Sequence, residues 1–130
     1  MAFLIHSTDD GHALPWEYLP CSAITPKVGM ALTQSGGNLA LASGTTAPTY
    51  ISMTERETAC TAGELIPVVR VQKDTVYETE LSAAGTSLKV GQKVTLATDG
   101  LRVTATTTEG VAELVEIIDT EIGGKVRVRF

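Results

Sequence analysis

The chain has 130 residues, a net charge of −5, 43% hydrophobic residues and only 5% aromatic ones. That length fits one domain with a real core, and so few aromatics leave Val, Leu, Ile and Ala to fill it. The acidic balance argues against a general nucleic-acid binder, whose affinity rests on neutralising phosphates, and no apolar run approaches the length of a membrane span.

The chain opens with MAFLIHSTDDGH. Its short apolar run lacks the basic flank and the length of a secretory signal. Next comes ALPWEYLPCSAITPKVGMAL, residues 13–32, with three prolines and the only tryptophan. It holds no sustained helical or strand period. The reading is therefore an extended N-terminal arm over residues 1–27, followed by a β domain over 28–130. Proline restricts φ before docking, so such an arm loses less entropy when it binds. Trp16 and Tyr18 combine apolar bodies with polar tips, the side-chain types enriched at interface hot spots. The arm either serves as a ligand for a groove on a partner or packs across its own domain.

From Val28 onward turn signals recur at short intervals and Thr and Val are abundant, the punctuation of an all-β domain. MALTQSGGNLALAS predicts a hairpin closed at Gly36-Gly37, with Leu32 opposite Leu41 and Gln34 opposite Leu39. Tyr50 to Met53 is a short strand candidate, and residues 54–64 are polar and read as a loop, either irregular or with one helical turn. LIPVVRV and TVYETEL are two further strands around Lys73-Asp74. KVTLATDGLRVTAT predicts a hairpin with a type I′ turn at Asp99-Gly100, Leu96 opposite Val103 and Val94 opposite Ala105. Residues 107–110 form a turn. ELVEIIDTEIGGKVRVRF predicts a last hairpin around a four-residue loop, Glu121 to Gly124. This register sets Ile117 opposite Val128, Val115 opposite Phe130 and Glu116 opposite Arg129. No stretch has the period of an amphipathic helix. The expected fold is all-β, a compact and mostly antiparallel barrel or sandwich.

Few residues suggest chemistry. His6, Asp9, Asp10 and His12 are types that bind Zn²⁺, but they lie on a terminal, Gly-containing segment with nothing to preorganise them, so a solvated loop is the favoured reading. They include both histidines of the chain, which leaves no Ser-His-Asp or Cys-His arrangement independent of that segment. There is no P-loop and no Gly-rich dinucleotide fingerprint. VYETELSAAG has the look of the hairpin of lipoyl and biotinyl carriers, yet no lysine stands between Lys73 and Lys89 to be modified. Cys21 and Cys60 are far apart in sequence, and the redox argument favours free buried thiols over a disulfide. Glu109 to Glu121 holds five acidic residues and no basic one, and Lys125, Arg127 and Arg129 follow. These charges either pair across the last hairpin or form complementary edges between copies. No catalytic, metal or cofactor site is expected.

PWEYLP, AITPKVGMAL, the Gly-Gly hairpin, PTYISM, GELIPVVRV, VGQKVTL followed by DGLRVTATT, GVAELVEI and a terminal KVRVRF come in an order that resembles a family of phage and prophage capsid decoration, or head-stabilisation, proteins. The resemblance spans Leu14 to Phe130. It implies a structural protein, often a homotrimer, made in the bacterial host cytoplasm and carried on the outer capsid surface of the virion. Its partner would be the major capsid protein, with no nucleic acid, membrane or cofactor involved. Carried onto PWEYLP and its flank, the resemblance makes Leu14, Trp16, Tyr18 and Leu19 the partner-contact residues. The competing expectation is a small SH3- or OB-like barrel that binds a peptide or glycan, since SLKVGQKVTL is the kind of stretch that opens such barrels.

Overall fold

β-Branched side chains favour extended backbone, and glycines at the reversals supply the positive φ that tight turns need. The computed structural model describes residues 2–9 and 11–130, and among these it holds ten strands and no helix. The strands are β1 (Leu4–Thr8), β2 (Trp16–Cys21), β3 (Ala31–Ser35), β4 (Asn38–Leu41), β5 (Tyr50–Ser52), β6 (Glu64–Arg70), β7 (Thr75–Glu80), β8 (Lys93–Val94), β9 (Ala112–Ile117) and β10 (Lys125–Arg129). They make two antiparallel-rich sheets packed on each other, so the fold is all-β. One sheet has the order β1-β7-β10-β9-β8. The other runs β2-β4-β3-β5-β6 and returns to β2 as a ring. A single parallel bridge, Cys21 to Leu39, joins β2 to β4, and full-length antiparallel pairing joins β2 to β6.

The stretch read as an arm is extended, but it is woven into both sheets. β1 pairs with β7 at one edge, and β2 closes the ring. Phe3 is buried, its amide donates to the Gly29 carbonyl at 2.9 Å, and its ring meets Phe130 edge-on at 5.3 Å. No boundary between arm and domain falls at residue 27, because β2 and β6 supply each other's ladder hydrogen bonds.

The first hairpin keeps the expected register, with Leu32 opposite Leu41 and Gln34 opposite Leu39. Gly36 and Gly37 both have positive φ, 60° and 85°, as a type I′ turn requires. The second keeps Leu96 opposite Val103 but not the turn type. Only Gly100 has positive φ, the Gly100 amide donates to the Ala97 carbonyl at 3.1 Å, and the Leu101 amide donates to Asp99 Oδ1 at 2.9 Å. Asp99 thus works through its side chain rather than through left-handed backbone.

The last hairpin departs further from expectation. Ile117 faces Val126 and Glu116 faces Arg127, and then a bulge shifts the ladder so that Leu114 faces Val128. Residues 114 and 117 differ by an odd number, so only an extra residue lets both point into the core. The connecting loop is anchored elsewhere: Gly123 N–H donates to Leu81 O, Leu81 N–H to Gly124 O, and Gly85 N–H to Thr120 O, each within 2.9 Å. Those bonds override the four-residue loop expected from the sequence.

Two apolar clusters result. Between the sheets lie Ile51, Val69, Tyr77, Leu81, Leu96, Leu114, Val126, Val128 and their neighbours. The ring has its own interior of Cys21, Met30, Leu32, Leu39, Tyr50, Cys60, Ile66, Val68 and Leu101, with residues from each of its five strands. The pairings Ala31 to Ile51 and Ile51 to Val69 set one row on the ring's outer side, against the first sheet.

Two substitutions test this packing. Gly29 has φ +81°, and a Cβ there would stand 2.5 Å from the Ala2 methyl and 3.0 Å from the Phe3 amide nitrogen. Gly29→Ala is expected to lower unfolding free energy by about 2–4 kcal/mol in urea titration. Tyr77 is fully buried and its hydroxyl has no hydrogen-bond partner. Tyr77→Phe removes an unsatisfied group and is expected to leave stability unchanged or raise it by about 1 kcal/mol.

Candidate functional site

Alternation along a strand sends successive side chains to opposite faces. On β2 the residues Glu17, Leu19 and Cys21 face the ring interior, opposite Val68, Ile66 and Glu64. Trp16, Tyr18 and Pro20 therefore face outward, beside Val69, Pro67 and Leu65. The first sheet covers Val69, but the wall beyond it is open. Trp16 is 56% exposed, Tyr18 61% and Leu65 57%. With Pro20 and Pro67 they make a contiguous aromatic and apolar face on a paired, rigid β wall.

Of the four residues expected to contact a partner, only Trp16 and Tyr18 lie on this face. Leu19 packs against the ring interior and Leu14 against the core between the sheets. Leu65 belongs to the surface and was not among them. The signal was present in LIPVVRV: Ile66 and Val68 alternate with Leu65 and Pro67, so burying one pair exposes the other.

Charged pairs close both ends of the ring. At the Trp16 end Arg70 forks onto Glu17, with Nε and Nη2 at 3.1 and 3.0 Å from the two carboxylate oxygens. The Arg70 guanidinium also lies 5.1 Å from the centre of the Tyr50 ring. The hydrogen bond to Glu17 holds it firmly protonated. At the Cys21 end Arg56 binds Glu64, and the Thr61 amide donates to the same carboxylate at 3.1 Å. The Arg56 hydrogen bond, helped by Thr61, pulls the Glu64 carboxyl below its ordinary value.

Behind Glu64 lie Cys21 and Cys60, both free and both buried. Burial, with a hydrogen bond to the Cys60 thiol, pushes the Cys21 thiol up to about 12. On the first sheet, part of the charge of the last hairpin is paired within the chain, while Arg129 Nε is buried with no hydrogen-bond partner. Arg127 stands between Glu116 at 2.6 Å and Glu78 at 3.3 Å, with Lys125 at 3.9 Å from Glu78. The acidic and basic runs meet within the chain.

His6 contacts the Ser7 hydroxyl, and His12 lies 3.8 Å from Asp74. Asp10, also named as a possible ligand, lies outside the described residues. Among the described residues no group of three or more His, Cys, Asp or Glu side chains is arranged to hold a metal ion. No protein-family model matches the chain, and a search of curated proteins gives no significant match.

The Cys21 environment has a pH signature. A folded-state value near 12 lies above the thiol's ordinary 9.0, so its stabilising effect is intact below about pH 9 and declines as pH rises toward 12. Urea midpoints measured from pH 8 to 11 are expected to fall for the native chain and to fall less for Cys21→Ala. At pH 8 a maleimide should label native Cys21 at least ~100-fold more slowly than in the unfolded chain.

Proposed function

We propose that this protein is a structural component of a phage or prophage head, a decoration protein that docks on the outer capsid surface and stabilises it. The observation that carries this reading is the Trp16, Tyr18 and Leu65 wall. Large amphipathic aromatics are placed outside on a frame that holds them still, where interface hot spots are expected. A preorganised surface loses little entropy on binding. The order of motifs from Leu14 to Phe130 supports the same reading, and implies a homotrimer on the major capsid protein, on the virion, with a binding rather than a catalytic role. Leu14 and Leu19 support the wall from behind, so the contact set is better drawn as Trp16, Tyr18 and Leu65.

The five-stranded ring favours a second reading, a small barrel module that takes a peptide or glycan on the same wall. Co-sedimentation with expanded capsids lacking a decoration protein separates the two. On the capsid reading the chain pellets with the particles. Trp16→Ala with Tyr18→Ala should then weaken binding by about 2–4 kcal/mol, roughly 30- to 1,000-fold, while melting changes little because both side chains are solvent-exposed. Light scattering is expected to give the mass of three chains. A monomer that ignores capsids moves the barrel module to first place.

A further inference from the structure

We propose that Cys21 and Cys60 form an oxidation site, a buried dithiol that a small-molecule disulfide such as oxidised glutathione converts to an intramolecular disulfide, locking the loop after β5 onto the ring. The inference stands apart from the capsid reading.

Three backbone hydrogen bonds stitch that loop to the segment following β2. Arg56 N–H donates to Pro26 O at 3.0 Å, Cys60 N–H to Ile24 O at 2.8 Å, and Gly63 N–H to Cys21 O at 2.8 Å. They bring two residues 39 positions apart into one apolar cluster, close enough that the Cys60 thiol acts on that of Cys21. Cys21 is 0% exposed and Cys60 3%. A disulfide needs such proximity, because its bond is only ~2.05 Å long and its Cα atoms must lie within about 7 Å. Zn²⁺ is a poorer occupant. It takes about four ligands, and Glu64, the carboxylate that acts on Cys21, is already held by Arg56 and the Thr61 amide.

The two cysteines have different routes to oxidation. Cys21 sits on a strand of the ring and Cys60 on the loop. Lifting the loop breaks the Arg56 to Glu64 pair and the Cys60 to Ile24 bond and exposes the Cys60 thiol. Its thiolate, having lost a proton to water, attacks one sulfur of oxidised glutathione. A Cys60–glutathione disulfide forms and one glutathione leaves and takes up a proton. When the loop closes, Cys21 gives up its proton and attacks the Cys60 sulfur, and the second glutathione leaves. Two thiols are oxidised, one glutathione disulfide is reduced to two thiols, and atoms and electrons balance. The buried pair stays reduced in a reducing compartment and closes only after transfer to an oxidising one.

The test uses the full chain in glutathione redox buffers, acid-quenched and weighed intact. The expected product is about 2 Da lighter than the reduced chain, runs as a single chain on a non-reducing gel, and yields one linked peptide joining Cys21 to Cys60. It should melt about 10 °C higher, since the bond closes a long loop, and dithiothreitol should reverse the shift. Arg56→Gln frees the loop and is expected to speed oxidation several-fold without changing the product. Parallel samples in urea below the unfolding transition remove access as a limit. Chains that there carry separate glutathione adducts, cross-link to one another or stay reduced overturn the proposal, as does a disulfide that lowers the melting temperature.

Discussion

A ring strand that the first sheet leaves uncovered buries only one of its faces, and β2 is such a strand. Its six-residue pairing with β6 runs from Trp16 opposite Val69 to Cys21 opposite Glu64. Once Leu19 and Cys21 turn inward, the pleat leaves Trp16 and Tyr18 no place but the outside. Without this pairing Leu32, Leu39, Ile66 and Val68 would face water, at about 1.5–3 kcal/mol for each large apolar side chain. The same constraint therefore shapes the core, the aromatic wall and the dithiol at the end of the ring. It also explains the prolines. Pro20 and Pro67 give up ladder donors, and both have their side chains on the open outer face of the wall.

The first sheet plays a different part. Its inner face is sealed by Tyr77, Leu114, Val126 and Val128, and its outer face carries a ladder of charge in which Arg127 bridges Glu78 and Glu116 on the two flanking strands. Exposed pairs of this kind add little stability each, but they cancel the contrast between the acidic and basic runs. An exposed apolar face lies instead on the ring, at Trp16, Tyr18 and Leu65.

The ion pairs Glu17 to Arg70 and Arg56 to Glu64 close the ring at either end, and its interior is filled by side chains. The only strongly perturbed thiol, Cys21, is made less nucleophilic by burial rather than activated. What the ring leaves open to solvent is the aromatic and apolar face of Trp16, Tyr18 and Leu65.

Much of this was legible locally. Two glycines in sequence specify a turn with two positive φ angles, so the Gly36-Gly37 hairpin followed at once with its register. The Leu96 to Val103 pairing followed from alternation on either side of Asp99-Gly100, although the turn itself uses the Asp99 carboxylate. The β9–β10 register was not legible, because contacts from Leu81 and Gly85 set its loop and a bulge at its middle reconciles Leu114 with Ile117. Nor was the placement of consecutive strands β6 and β7 in different sheets. The sequence by itself determined that the chain is all-β, where its Gly36-Gly37 and Asp99-Gly100 turns fall and which residues alternate beside them, since those depend on neighbours a few positions apart. Only the tertiary structure decided that residues 16–21 are a ring strand rather than a free arm, that Leu14 and Leu19 point inward, that Leu65 joins Trp16 and Tyr18, and that Cys21 meets Cys60. Those outcomes hang on pairings between residues some 40 to 50 positions apart, and no local period records which distant strand will supply the missing hydrogen bonds.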